Sequence, residues 1–338
     1  MIKLLYILYT MRVFTPLGLW CLIKSIYSCG INMMTLLAYS AYRFPNKTVL
    51  SYEEQIFTYQ ALFETCRKVY TWLYVERNIR YRDKIGIFYQ NKPEIIQSVF
   101  ALAYLGADIY LLNADMSKEQ LIILHQKHHF KAILIDTEHS SWQLDFSIPL
   151  INLALLNHTE SKLSDKVPKS YRGKLIVLTG GTTTGAFKTV PHKTSITKFI
   201  YPTYALIKKL RLKSYQSVYI AVPIFHSYGF STLLISILLG KNVWITPRFH
   251  LQKAIDIIEK NAIEVTTFVP TMLHRIMLEK PTSLKSVRCI ITGAAPLPVS
   301  LAKQTQQILG NVLYNLYGSS EAGFCIIATL LDLQKYIA

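Results

Sequence analysis

Acidic residues are scarce in this chain: 20 Asp and Glu stand against 37 Lys and Arg over 338 residues, a net charge of +17. A surface so short of carboxylates favours polyanionic partners such as nucleotides, coenzyme A, an anionic membrane or nucleic acid. Helix-turn-helix, zinc and RRM signatures are missing, which argues against a specific nucleic-acid partner. The five cysteines (Cys21, Cys29, Cys66, Cys289, Cys325) are odd in number and lack C-x-x-C spacing. That excludes a disulfide or zinc framework and points to a reducing compartment. Internal repeats are absent, so solenoids and propellers are excluded. Within residues 1–30, long uncharged runs are absent too. Residues 1–30 are rich in Leu, Ile, Tyr and Trp, but Lys3, Arg12 and Lys24 interrupt them, and the longest uncharged run, 13–23, holds Pro16 and Gly18. It is too short to cross about 30 Å of hydrocarbon, and no small-residue cleavage site follows it. The expectation for 1–30 is an apolar helix lying against the domain or on a membrane surface.

What is there is apolar and alternating. Half of the chain (51%) is hydrophobic and the mean hydropathy is +0.25. Leu62, Cys66, Val69 and Leu73 share one face at helical spacing, so residues 58–75 read as an amphipathic helix. Strand-like 85–89, helical 93–105 with proline in its first turn, and strand-like 108–112 follow, and 117–127 with 132–136 repeats the unit. Later, helix 251–260, strand 264–269 and helix 271–278 continue the pattern. Such alternation predicts an α/β fold of βαβ units with mostly parallel sheets and flanking helices. The polar stretch 161–174 is the expected subdomain boundary, dividing a domain that spans 31–338.

The most informative stretch is Val177-Leu178-Thr179-Gly180-Gly181-Thr182-Thr183-Thr184-Gly185-Ala186-Phe187-Lys188. An aliphatic strand runs into glycines that free backbone amides, hydroxyls that add donors, and a lysine that adds a point charge. This is the chemistry of a loop around a polyphosphate. It is not a P-loop NTPase motif, because Ala186-Phe187 stand where Lys-Ser/Thr must follow. Three more turns follow strand-like runs: Pro223-Ile224-Phe225-His226-Ser227-Tyr228-Gly229, Thr292-Gly293-Ala294-Ala295-Pro296 and Tyr317-Gly318-Ser319-Ser320-Glu321. Carboxyl ends of strands are where open α/β sheets bind ligands.

These four motifs, in this order, resemble the AMP-forming acyl-CoA synthetases of the adenylate-forming superfamily. The resemblance implies the large N-terminal domain of such an enzyme and an acid–thiol ligase of the long-chain fatty acid type. It uses ATP, Mg²⁺ and CoA to turn a carboxylic acid, expected to be a fatty acid, into acyl-adenylate and then acyl-CoA. It assigns Thr179, Gly181, Thr182, Thr183, Gly185 and Lys188 to the ATP phosphates, and Gly293, Ala294, Ala295 and Pro296 to a wall of the adenine pocket. Tyr317, Gly318 and Ser320 join the nucleotide site, Glu321 takes Mg²⁺, and Lys188, Ser320 and Glu321 carry catalysis. Phe225, His226 and Gly229 flank the acyl substrate.

The departures are an additional threonine (Thr184), Phe187 for proline and Thr189 for glycine. One added residue shifts the backbone by roughly 3 Å, comparable to the amide–phosphate distance itself. The family's small C-terminal domain and later motifs are missing, so the expectation is a truncated ligase with impaired activity. Two other readings stay open: a non-catalytic nucleotide- or lipid-binding remnant, and a basic peripheral membrane protein. The expected location is cytoplasmic with membrane association, and the oligomeric state is unassigned. His125, His128 and His129 fit a helix C-terminus better than a metal site.

Overall fold

The computed structural model describes residues 2–139, 142, 149–153, 167–169, 173–179, 188–192, 196–319, 323–329 and 332. In chain order, helices α1 (Ile2–Thr10), α2 (Pro16–Cys29) and α3 (Met33–Arg43) precede strands β1 (Thr48–Tyr52) and β2 (Gln55–Thr58). Then come α4 (Tyr59–Val75), β3 (Lys84–Phe88), α5 (Pro93–Leu105), β4 (Asp108–Leu111), α6 (Lys118–His128), β5 (Ala132–Ile135) and β6 (Leu150–Asn152). Strands β7 (Leu175–Thr179) and β8 (Lys188–His192) lead to α7 (Ile196–Lys209), β9 (Ser217–Ile220), α8 (Ser227–Leu238) and β10 (Asn242–Ile245). The chain continues through α9 (Leu251–Lys260), β11 (Val265–Phe268), α10 (Pro270–Glu279), β12 (Cys289–Gly293), α11 (Val299–Leu309), β13 (Leu313–Ser319) and β14 (Gly323–Ala328).

Local chemistry sets these limits. The Thr58 hydroxyl accepts from the Ala61 amide at 3.1 Å and starts α4. Its predicted stripe, Leu62, Cys66, Val69 and Leu73, is fully buried. Pro93 opens α5, where its missing amide costs nothing, and Gly106 closes it at φ +68°. A capping box of Ser117 and Gln120 starts α6.

The chain forms two compact units. One comprises Met1–Phe14, Thr48–Ile56 and Ser195–Ala338. Its eight-stranded sheet runs β14-β13-β12-β11-β9-β10-β1-β2, parallel from β13 through β1, with β14 antiparallel at one edge. Tyr219, Phe268, Ile290 and Leu313 face Ala254, Ile255, Ile258, Leu273, Ile276 and Leu301 from α9, α10 and α11 in one buried cluster. Helix α1 lies against α7, with the Tyr6 and Tyr204 rings edge to face at 5.0 Å.

The other unit comprises Thr15–Lys47 and Phe57–Thr194. Its six-stranded sheet runs β6-β5-β3-β4-β7-β8, parallel except for β8. Phe88, Ile133, Ile135 and Ile176 pack on Leu121 and Leu124 of α6. The expected α/β class with two mostly parallel sheets and flanking helices is the observed one. Residues 161–166 and 170–172, within the expected boundary, lie outside the described residues. Among the described residues, no helix is long and apolar enough to cross a membrane.

Candidate active site

Because β9, β11, β12 and β13 are parallel neighbours, their carboxyl ends share one edge of the eight-stranded sheet. The turn after β9 leads into α8, and its Tyr228 hydroxyl donates to the Ile291 carbonyl of β12 at 2.8 Å. Burial holds this phenol well above the ordinary tyrosine pKa, so it stays a donor. Gly229 is required there, since a Cβ would stand 2.4 Å from the Pro223 carbonyl oxygen. Gly293, at the end of β12, is tight to a lesser degree: its Cβ would lie 3.0 Å from the Leu316 carbonyl oxygen, close enough to need a small shift, and 3.7 Å from the Tyr228 ring, in ordinary contact. Tyr228 therefore ties the Phe-His-x-x-Gly turn to the Gly-Ala-Ala-Pro turn.

Ala294 then takes φ +64°. A left-handed alanine costs about 1–2 kcal/mol, and strain of that size gathers at ligand-binding turns. It exposes Ala294, Ala295 and Pro296. Gly293 pairs with Leu316 in the β12–β13 register, so Tyr317 and Gly318 follow directly beyond it. The Tyr317 ring is 68% exposed, a flat apolar face turned to solvent. Behind it Thr292 donates to the Tyr314 carbonyl (3.1 Å) and lies 3.2 Å from the Asn315 side-chain oxygen. The β13–β14 pairing shifts register between Tyr317 and Gly318, a bulge that re-aims the strand where the site residues begin.

The pair expected to flank the substrate separates. Phe225 is buried, while His226 is exposed at the N-cap of α8, their rings 4.6 Å apart. In the other unit, Thr179 closes β7 and Lys188 opens β8, and the two are register partners. The expected phosphate loop thus joins two antiparallel strands rather than entering a helix. Gly181, Thr182, Thr183, Thr184 and Gly185 lie outside the described residues, as do Ser320 and Glu321. Among the described residues, no group of three His, Cys, Asp or Glu is placed to hold a metal. At the end of α6, His125 and His128 have pKa values lowered by burial, so desolvation outweighs the favourable helix dipole. Cys21, Cys29, Cys66 and Cys289 are free and buried.

Sequence reasoning assigned no role to Tyr228, Thr292 or Asn315, although Tyr228 and Thr292 sit inside quoted motifs and Asn315 lies two residues before Tyr317. For Tyr228 and Thr292 the available signal was their place beside Gly229 and Gly293.

The family profile described as AMP-binding enzyme matches residues 37–337. The 2-succinylbenzoate–CoA ligase of Bacillus subtilis (strain 168) is 24% identical over 278 residues, 82% of this chain and 56% of the relative. The ligase of that name from Bacillus thuringiensis subsp. konkukian is 25% identical over 306 residues, 89% of this chain and 61% of the relative. The chain therefore spans a little over half the length of these curated relatives. Among solved structures, the o-succinylbenzoate coenzyme A synthetase of Bacillus subtilis in complex with ATP and magnesium ion superposes with a TM-score of 0.79. It is 23% identical and shares 89% of this chain and 63% of its own. The N-terminal domain of FACL13 from Mycobacterium tuberculosis gives 0.75 at 18% identity, covering 90% of this chain and 80% of that domain. With three of the four motifs at one edge of the eight-stranded sheet and the profile covering nearly its whole length, this chain belongs to the AMP-binding enzyme family.

Proposed function

We propose that this chain binds ATP and uses it to activate a carboxylic acid as the acyl-adenylate, ahead of transfer to the thiol of CoA. The observation that carries the reading is the junction of three motifs in one unit: Tyr228 on Ile291, Gly293 against Leu316, and the exposed Tyr317 beyond them, which lies in β13 rather than in the turn expected there. An exposed backbone turn beside an aromatic face suits a purine, which stacks on the ring and takes hydrogen bonds from the turn. In the first half-reaction a carboxylate oxygen attacks the α-phosphorus, the bond to the β-phosphate oxygen breaks, and pyrophosphate leaves. In the second, the thiol sulfur attacks the acyl carbonyl, AMP departs, and the thiol proton passes to solvent. Catalysis of the first step is positioning plus charge neutralisation. Lys188 and the loop with Thr179, Gly181, Thr182, Thr183 and Gly185 would hold the phosphates. Ser320 would meet the α-phosphate and Glu321 the Mg²⁺.

The acid remains to be chosen between two classes. Relatives named 2-succinylbenzoate–CoA ligases favour an aromatic dicarboxylate. The fatty-acid reading rests on the family resemblance and a compatible apolar composition, and Phe225 is buried rather than offered to a chain. We therefore put 2-succinylbenzoate first. Mg·ATP should raise the melting temperature, since a ligand selective for the folded form stabilises it by mass action. 2-Succinylbenzoate added with ATP should release pyrophosphate in preference to palmitate. No thermal shift with Mg·ATP would refute the nucleotide reading, and a preference for palmitate would restore the fatty acid.

A further inference from the structure

Helix α2 presents two opposite faces. Gly18, Cys21, Ser25 and Cys29 are buried, and α2 packs on α3. The other half-turn carries Leu17, Trp20, Ile23, Ile26 and Tyr27, with Ile23 66% and Tyr27 79% exposed. An apolar arc about half the circumference wide has no counterpart in an ordinary surface helix, whose outer face is charged. The helix holds no acidic residue and one lysine, Lys24, which lies over the Trp20 ring at 4.6 Å and the Tyr42 ring at 4.3 Å.

Tyr42 also lines a cavity of about 210 Å³ at the C-terminal end of the same helix. Its other walls include Ser28, Tyr70, Arg67 and Lys169; among the described residues the lining has two cations and no carboxylate. Arg67 is oriented by a contact from its Nε to the Tyr70 hydroxyl at 3.4 Å, with Tyr70 stacked on Tyr104 at 3.9 Å. Lys169 is anchored on the Tyr27 carbonyl and lies over the Tyr27 ring. The cationic cavity and the apolar arc thus meet at Tyr27, on one surface of one unit.

We infer that this surface docks on an anionic phospholipid bilayer, with α2 lying in the interface and one lipid phosphate held between Arg67 and Lys169. Each part matches a layer of the membrane. Trp20 and Tyr27 have the amphipathic rings favoured at the headgroup level, and Leu17, Ile23 and Ile26 reach the acyl boundary. A guanidinium and an ammonium together suit a phosphate diester. The +17 net charge draws the chain toward a negative leaflet. A protein partner would have to match a broad apolar arc and supply an anion beside it, whereas a bilayer has both everywhere. The inference stands apart from the nucleotide reading and uses none of its residues.

The test is flotation of the full chain with vesicles of phosphatidylcholine alone or mixed with phosphatidylglycerol. Binding is expected to the mixed vesicles, weaker by on the order of tenfold to the neutral ones. The double variant R67Q/K169Q should lose a similar factor, whereas the charge-matched K260Q/K303Q should retain binding. Should R67Q disturb folding, K169Q alone, at an exposed position, should still weaken binding several-fold. I23S should abolish flotation yet leave binding of glycerol 3-phosphate in solution intact. Glycerol 3-phosphate binding without flotation would overturn the proposal in favour of a soluble anion. Equal flotation of R67Q/K169Q and K260Q/K303Q would reduce it to general charge. Self-association broken by I23S, without vesicle binding, would replace the membrane by a second copy.

Discussion

In the eight-stranded sheet the last parallel strand, β13, turns back through residues 320–322 into β14; in the six-stranded sheet β7 turns back through residues 180–187 into β8. Both returns carry the residues to which the family resemblance gives phosphate and metal roles, and both make an antiparallel edge on a parallel sheet. They differ in how their surroundings are fixed. Beside the short return, Tyr228, Thr292, Gly229 without room for a Cβ and the tightly packed Gly293 lock neighbouring turns into the core. At the long return the strand ends pair Thr179 with Lys188, and the chemistry depends on a longer segment. A longer connection costs more entropy to close, a cost that phosphate binding, under the proposed function, would offset. Substitutions at the first edge should therefore register in the stability of the ligand-free protein, and those at the second in ligand affinity.

The largest effect is expected from Gly229→Val. Its Cβ would meet the Pro223 carbonyl at 2.4 Å, with the Pro223 carbonyl carbon at 2.8 Å and the Ile224 Cα at 3.1 Å behind it. All three neighbours are backbone, so nothing flexible can yield. Overpacking of this kind costs about 3 kcal/mol, read as a lower denaturation midpoint without any ligand. A midpoint within error of the parent would show that α8 can shift as a unit, and the contrast between the two edges would fail.

Lys188→Ala should do the reverse. Ligand-free stability should hold, while the Mg·ATP thermal shift falls by the loss of a charge-assisted contact worth about 1.5–3 kcal/mol. Glu321→Gln, which keeps shape and removes charge, should weaken Mg²⁺-dependent ATP binding more than metal-free binding. A loss of ligand-free stability in Lys188→Ala equal to its loss of ligand shift would erase the distinction. Tyr228→Phe falls between them in character and below them in size. It removes the side-chain donor to the Ile291 carbonyl, a net loss of about 0.5–1.5 kcal/mol. It also loosens the joint between two candidate ligand turns. Calorimetry with and without ATP should show both losses; an unchanged ATP shift would separate Tyr228 from the nucleotide site.

The same contrast explains what could be read from the sequence. Helices with one apolar stripe were legible to within a residue or two, as α4 and α9 show, because burial of one face imposes a period; α5, buried on nearly every side, was marked instead by Pro93 in its first turn. Helix α8 was not legible, since SYGFSTLLISIL is apolar on every side. The edge strands β8 and β14 were hidden for another reason. They are antiparallel additions to a parallel pattern, and β8 contains Pro191, a residue that argues against a strand unless it lies at an edge. The candidate site was legible as punctuation: Gly- and Pro-containing segments after aliphatic runs marked the turns that follow β9 and β12. What a sequence could not carry was burial. Nothing in Phe225-His226 says that the phenyl turns inward and the imidazole outward, or that Ala294 takes a left-handed conformation.

A last, smaller effect probes the core beneath the first edge. Tyr219 in β9 is fully buried, and burial pushes its phenol up to about 12 although its oxygen lies 3.0 Å from the Thr246 hydroxyl. In the unfolded chain the phenol titrates near its ordinary value of about 10. The unfolded state therefore gives up this proton first as pH rises. The stability that Tyr219 contributes by staying neutral is complete below about pH 10 and is lost progressively toward about 12. Within that window one such group adds a slope of roughly 1.4 kcal/mol per pH unit. Tyr219→Phe should lower stability modestly at pH 8, through the lost hydroxyl pair. Between pH 10 and 11.5 its stability should fall less steeply than that of the parent, so the two curves converge. Urea titrations at four or five pH values suffice to see this. Parallel curves would mean that the phenol is already reached by solvent, and that the strands carrying the candidate site are less firmly packed than the first edge requires.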